Sequence, residues 1–129
     1  MTAHQTTKQN SSIVITELRG ALVLTFPQSQ VLSAERREQI QSQVLERCMK
    51  NQAEAVILDL SALNLIDLTE WTWLRNLSRS CKLMGSKIWL VGLKPEVAIT
   101  LVSMGAITQD LQYALGVEEA LNLIHNNIG

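Results

Sequence analysis

Two carboxylates, Asp59 and Asp67, bracket a short segment that follows a β-rich run, and their convergence near the rim of a sheet would make them a candidate pair for acid–base chemistry. Open α/β folds bind ligands beyond the carboxyl ends of their strands, where Asp59 would stand. Paired carboxylates alone do not make an acid–base site, and capping or loop roles are the commoner use of such residues. The remaining chemistry is scattered. His4 falls in a polar N-terminal stretch and His125 near the C terminus, neither with a nucleophile close by in sequence. Cys48 and Cys81 stand far apart and read as reduced, buried small hydrophobes rather than as a disulfide framework. There is no HExxH, no CxxC and no His/Cys cluster, so no metal site is expected. The 6 glycines never form GxGxxG or GxxxxGK[ST], which argues against a phosphate cradle of those kinds, and no cofactor is expected. One hydroxyl is better placed. Thr69 follows Asp67 by two positions at the start of a helical pattern, where free N–H groups and the helix dipole accommodate a phosphate; capping by Asp67 or Thr69 is the competing use.

The elements that must position these groups follow from apolar periodicity. Residues 13–18 and 21–26 are β-rich runs separated only by Arg19 and Gly20, which predicts a tight hairpin, and Pro27 ends the second run. Ile40, Val44, Leu45, Cys48 and Met49 recur at three- and four-residue spacing, which predicts a helix over 33–49 capped by Ser33, with Glu35 in its first turn. The nearly continuous apolar run 55–60 (AVILDL) fits a strand covered on both faces. A second helix is predicted over 68–84 with Gly85 beyond its end, then a buried strand over 87–93, within which Gly92 has no turn to explain it. Pro95 opens a third helix that runs to about Met104. A short edge strand over 111–114 and a last helix over 117–125, with Ala120, Leu121 and Ile124 on one side, complete the chain. Strands alternating with helices predict an α/β fold built on one core, with no internal repeat and no linker.

Composition removes several functions. At 129 residues one domain is expected, and 47% hydrophobic content is enough for a sizeable core. Lys plus Arg is 11 and Asp plus Glu 12, so no strong field draws in nucleic acid or an anionic membrane, and neither is expected as a partner. No stretch approaches the ~20 apolar residues of a membrane span, so no membrane insertion is expected. Residues 1–12 (MTAHQTTKQNSS) are polar and lack the apolar segment of a secretory signal. A flexible N-terminal tail and a cytoplasmic location are the expectation.

The second helix carries an unexplained surface. Leu74, Leu77, Cys81 and Met84 define a core-facing stripe with Trp73 at its flank, and Leu68, Trp71, Thr72 and Arg75 are then read as projecting to the opposite or lateral side. Leu68 and Trp71 together would form an exposed apolar patch, so Asp67, Leu68, Trp71, Thr72 and Arg75 are the expected partner-binding surface. The alternative is cover by a loop or by the N-terminal segment of the same chain.

The strand and loop AVILDLSALNLID (55–67), the helix after it and the stretch CKLMGSKIWLVGLKPEVAITLVSMGA (81–106) resemble the STAS domain family, the bacterial anti-sigma-factor antagonists. Gly92, Lys94, Pro95, Val97, Ala98, Thr100, Leu101, Val102 and Gly105 meet the pattern G-x-K/R/Q-P-x-V/I-A-x-T-L/I-V/I-x-x-G of the stressosome branch, and YALGVEEALNLI (113–124) is similar to the same branch. The resemblance implies a four- to five-stranded mixed sheet packed against about four helices, with a single STAS domain over 13–129. With about twelve residues before the first strand, the chain looks like the small, lone-domain, RsbS-like scaffold subunit rather than the larger sensory kind. That resemblance implies a non-enzymatic scaffold that assembles with itself or with STAS paralogues and binds a serine/threonine switch kinase or anti-sigma factor. Phosphorylation would release the partner and a phosphatase would reset the system. In the family the phosphoacceptor directly follows the Asp matched by Asp67; here that residue is Leu68, which accepts no phosphate. Thr69, one position later, and Thr100, which matches a position phosphorylated in sensory paralogues, are the phosphorylation candidates. The bland reading of Thr100 is a helix hydroxyl bonded back to a carbonyl. Two other functions compete: a STAS subunit that regulates a lipid transporter at the inner membrane, and a small α/β enzyme using Asp59 and Asp67.

Overall fold

The computed structural model describes residues 13–28, 32–105 and 111–126. The elements run β1 (Val14–Leu18), β2 (Ala21–Thr25), α1 (Ala34–Asn51), β3 (Ala55–Asp59), α2 (Leu68–Leu83), β4 (Lys87–Val91), α3 (Pro95–Ser103), β5 (Gln112–Ala114) and α4 (Val117–Asn126). The expected N-terminal tail lies outside the described residues.

The five strands form one sheet in the order β1-β2-β3-β4-β5. β1 pairs antiparallel with β2, and every later pairing is parallel, so the sheet is mixed. The hairpin turn needs two successive residues at positive φ; Arg19 has φ 50° and Gly20 φ 83°, the combination that matches the twist of paired strands.

Strand order equals chain order, and parallel crossovers are right-handed, so α1, α2 and α3 must fall on the same face. The core shows this division. Leu22, Leu24, Val56, Leu58, Ile88 and Leu90 face one way, into a cluster with Ile40, Val44, Leu74, Leu77, Val97 and Leu101. Their strand neighbours Ala21, Val23, Ala55, Ile57, Trp89 and Val91 face the other way and meet Ala120, Leu121 and Ile124 of α4. The alternation is the period-2 geometry of a strand, and burial on both faces is why these strands read as continuous apolar runs.

Ser33 caps α1, its hydroxyl accepting from the Arg36 N–H at 3.1 Å. The predicted α1 stripe holds at Ile40, Val44 and Cys48, but Met49 is 70% exposed: it lies about 100° around the helix from Cys48, past the edge of the buried face. Met84 is likewise not in the core. α2 ends at Leu83, and Met84 is its exposed C-cap.

Gly92 also gains its explanation. At φ 74°, a Cβ there would stand 2.7 Å from the Cβ of Ser61 and 3.0 Å from its Cα. The end of β4 thus presses directly on the loop that leaves β3. That loop is further tied by Asp59, whose Oδ1 accepts from the Ser61 N–H at 3.1 Å and from its hydroxyl at 2.7 Å. Lys94 Nζ donates to Asn64 Oδ1 from the far side, at 2.5 Å.

Candidate partner interface

The loop after β3 delivers the chain to α2 through a reciprocal cap. Asp67 Oδ1 accepts from the Glu70 N–H at 2.8 Å, and Glu70 Oε1 accepts from the Asp67 N–H at 3.0 Å. Asp67 is the N-cap, and the capping role foreseen for it is met by this box. Asp59 likewise holds local backbone through its Oδ1, so both carboxylates take the capping and loop roles expected as the commoner use.

The same cap corrects the reading of Trp71. Expected on an exposed face, it is instead 5% exposed and belongs to the main core cluster. Three residues separate it from Leu74, which places it about 60° away on the helix circumference, on the edge of the same stripe. Ile66, just before the cap, is buried in the same cluster, and this pairing across a helix start is a hydrophobic staple. The expected apolar pair of Leu68 and Trp71 is therefore split. Leu68 remains outside at 63% exposure and Leu65 at 81%, while Trp71 points inward.

Thr69, Thr72 and Asn76 are exposed, and with Leu68 and the half-buried Trp73 they line one wall of an open groove of about 430 Å³. The other wall is Arg37 of α1. Arg37 is itself held, its Nη1 donating to the Leu32 carbonyl at 2.7 Å. Trp73 stands edge-on to Phe26, with ring centroids 6.4 Å apart and planes at 71°. Behind this floor a narrower apolar pocket is lined in part by Phe26, Leu63, Ile66 and Glu70. Burial there pushes the Glu70 carboxyl above its ordinary value, against the lowering effects of the Asp67 backbone hydrogen bond and the Arg37 charge.

Arg75 departs from the expected surface. It is half-buried on the opposite flank of α2, in a depression shared with Ser78, Arg79, Lys82, Ile88 and Leu111. Thr100 is exposed on α3, its hydroxyl donating to the Glu96 carbonyl at 3.0 Å, and it does not line the groove. The groove residues absent from the expected surface and phosphorylation candidates are Arg37, Trp73 and Asn76, of which Arg37 alone comes from another helix. No sequence signal distinguishes Arg37 from its polar neighbours on α1, because only the packing of α1 against α2 brings it here. Thr69, Thr72, Trp73 and Asn76, by contrast, fall at the three- and four-residue spacing of one helix face.

Among the described residues there is no group of three or more His, Cys, Asp or Glu side chains able to hold a metal ion. None of the described helices is long and apolar enough to cross a membrane.

Comparison with known proteins agrees with this architecture. The profile of the STAS domain matches residues 7–120. The RsbT co-antagonist protein RsbRA of Bacillus subtilis (strain 168) is 26% identical over 99 residues, which is 72% of this chain but only 36% of that protein's length. A glutamate-for-serine variant of RsbS from Moorella thermoacetica superposes with a TM-score of 0.76 at 26% identity, covering 92% of this chain and 98% of that one. A chain from the molecular architecture of the stressosome, a signal integration and transduction hub, superposes with a TM-score of 0.77, also at 26% identity, over 89% of this chain and 98% of that one.

Proposed function

Because this chain belongs to the STAS domain family, we propose that it is a non-enzymatic scaffold of a partner-switching stress pathway. In that role it assembles with STAS paralogues and binds a serine/threonine switch kinase or an anti-sigma factor. The observation that carries the reading is the rim at the start of α2, where Leu68, Thr69 and Thr72 border an open groove closed by Arg37. An exposed leucine beside polar groups on a capped, rigid helix start suits protein recognition. The binding surface is accordingly Asp67, Leu68, Thr69 and Thr72 with Arg37; Trp71 drops out because it is buried, and Arg75 because it faces the other flank.

Leu68 occupies the position where the family resemblance puts the phosphoacceptor, so no dianion can arise there. At this position the surface is then held in the state that phosphorylation would otherwise end. Thr69 and Thr100 remain the hydroxyls on which a phosphate switch would act. Thr69 borders the groove, so a phosphate there would place about two negative charges facing Arg37.

The test is a pulldown from the source organism's lysate with wild-type and Leu68→Glu chains as bait, read by mass spectrometry. STAS paralogues and a small ATPase of the histidine-kinase type are expected with the wild type, and the ATPase is expected to be lost with Leu68→Glu. Equal recovery of that ATPase by both baits refutes the rim as the binding surface. Recovery of a permease with its transport ATPase instead replaces the scaffold reading with transporter regulation. Phosphate mapped to Thr69 or Thr100 on the recovered bait shows a switch that bypasses Leu68.

A further inference from the structure

The two edges of the sheet are built differently. β5 is short, Gln112–Ala114, and a short edge strand is one way a sheet avoids pairing with another chain. β1 runs over Val14–Leu18 in unbroken register with β2, and its sequence VITEL holds no proline and no lysine. No strand among the described residues pairs with its outer side. Val14, Thr16 and Leu18 share the face that carries α4, because their partners Val23 and Ala21 belong to that cluster. α4 packs chiefly on β3, β4 and β5, and Val14 and Leu18 remain 54% and 44% exposed with Thr16 exposed between them. The hairpin also fixes which main-chain groups point outward. Leu18 and Ala21 close a two-residue turn as a hydrogen-bonded pair, so Val14, Thr16 and Leu18 direct their N–H and C=O groups to β2. Ile15 and Glu17 then turn theirs to the open edge. The Ile15 carbonyl is accordingly reached from outside the ladder, accepting from Arg47 Nη1 at 3.4 Å.

We propose that β1 is a self-association strand, pairing antiparallel with β1 of a second copy about a two-fold axis at Thr16 and joining two five-stranded sheets into one. Few registers set the outward groups of Ile15 and Glu17 against one another, and the side chains choose among them. Glu17 opposite itself places like charges together. Ile15 opposite itself sets Val14 against Thr16 of the second copy and leaves Leu18 without an apolar partner in β1. Ile15 opposite Glu17 is self-complementary: Thr16 meets Thr16 on the axis, and Val14 meets Leu18 on either side of it. The two exposed apolar side chains of β1 then cover each other. Charge favours the same register. Glu17 lies on the α1 face, where its Oε2 accepts from Asn51 Nδ2 at 2.5 Å. In this register it stands opposite Ile15 of the second copy, on whose carbonyl Arg47 sits, so the carboxylate of each copy approaches the guanidinium of the other. The occupant is a second copy of this chain because the strand's own sequence, read in reverse, supplies the matching side chains. The pairing does not depend on what binds the groove between α1 and α2.

The test follows the full chain by sedimentation over a concentration series from micromolar to millimolar, as wild type and as Thr16→Lys. Thr16 is exposed, so the substitution is expected to leave the fold intact while setting like charges directly opposite on the axis. The wild type is expected to dimerise as concentration rises, and Thr16→Lys to raise the dimer dissociation constant by about tenfold or more, less so at high salt. A wild type that stays monomeric throughout, or an assembly that Thr16→Lys leaves unchanged, overturns the proposal. Register is read from cysteine substitutions under mild oxidation with peptide mapping, the native Cys48 and Cys81 being buried. Thr16→Cys is expected to cross-link to its own copy, because directly opposed residues of a non-hydrogen-bonded pair bring their Cα atoms to about 4.5 Å. Val14→Cys is expected to link to Leu18→Cys in a mixture of the two variants. Self-linkage of Val14→Cys with none at Thr16→Cys overturns the register. If Thr16→Lys does not fold, the Thr16→Cys cross-link in the folded chain still decides.

Discussion

Replacement of Gly92 by alanine tests the contact that sets the candidate interface in place. Two costs combine. A non-glycine residue at φ 74° carries a backbone penalty of about 1–2 kcal/mol. The new Cβ would also stand 2.7 Å from Ser61 Cβ, 3.0 Å from its Cα and 3.2 Å from its N, distances that force the loop aside. Overpacking of this kind costs about 1–3 kcal/mol, and here part of the obstacle is backbone, which has no rotamer to yield. Gly20 supplies the control, because it has φ 83° and a Cβ there would meet nothing within 4 Å, leaving backbone strain alone. Gly92→Ala should therefore be more destabilising than Gly20→Ala by about 1–3 kcal/mol. Urea unfolding followed by tryptophan fluorescence reads the difference; with a slope of about 1–3 kcal/mol per molar urea, the midpoints should separate by roughly one molar. Because Ser61 opens the loop that leads to Asp67, the variant should also weaken recovery of the partner ATPase in the pulldown. Equal midpoints for Gly92→Ala and Gly20→Ala would refute the claim that β4 and this loop need that close approach.

Two further perturbations probe α2. Trp71→Ala should cost about 3–5 kcal/mol as a cavity in the core, whereas Leu68→Ala should change stability by no more than about 0.5 kcal/mol, since its side chain faces solvent; chemical denaturation of both variants checks the split, and a mild Trp71→Ala would restore the exposed patch. Glu70→Gln keeps the oxygen that accepts from Asp67 while removing the charge. Burial raises the Glu70 carboxyl in the folded chain, so the folded state binds that proton more tightly than the unfolded one. This contribution to stability is complete below the ordinary glutamate range and is lost as pH rises through the raised value. The variant should lack that loss, so its melting temperature relative to wild type should be higher at pH 7 than at pH 4; the opposite ordering refutes burial as the dominant influence on this group.

Much of the architecture is legible in local chemistry. Arg19-Gly20 between two β-rich runs specifies a hairpin, the apolar runs at 55–60 and 87–93 specify strands covered on both faces, and Ser33 and Pro95 mark helix starts that the structure keeps. These are short-range effects, set by side-chain period, backbone φ and unpaired N–H groups within one turn of helix. The resemblance around Lys94–Gly105 likewise sits in contiguous residues. Arithmetic on one helix is less decisive at its margins: Trp71, Met49 and Met84 lie near the borders of apolar stripes, where 100° per residue leaves the facing surface undetermined until a neighbour is packed against it.

What the sequence determined by itself is the order of elements, the fold family and the exposed Leu68 at a helix start. Only the tertiary structure decided that Ile66 and Trp71 turn inward together, that Gly92 meets Ser61, and that Arg37 closes the groove in front of Thr69 and Thr72. Each of these joins residues on different elements. Their separation along the chain carries no distance information, and three right-handed crossovers laying α1, α2 and α3 on one face of the sheet are what convert it into contact.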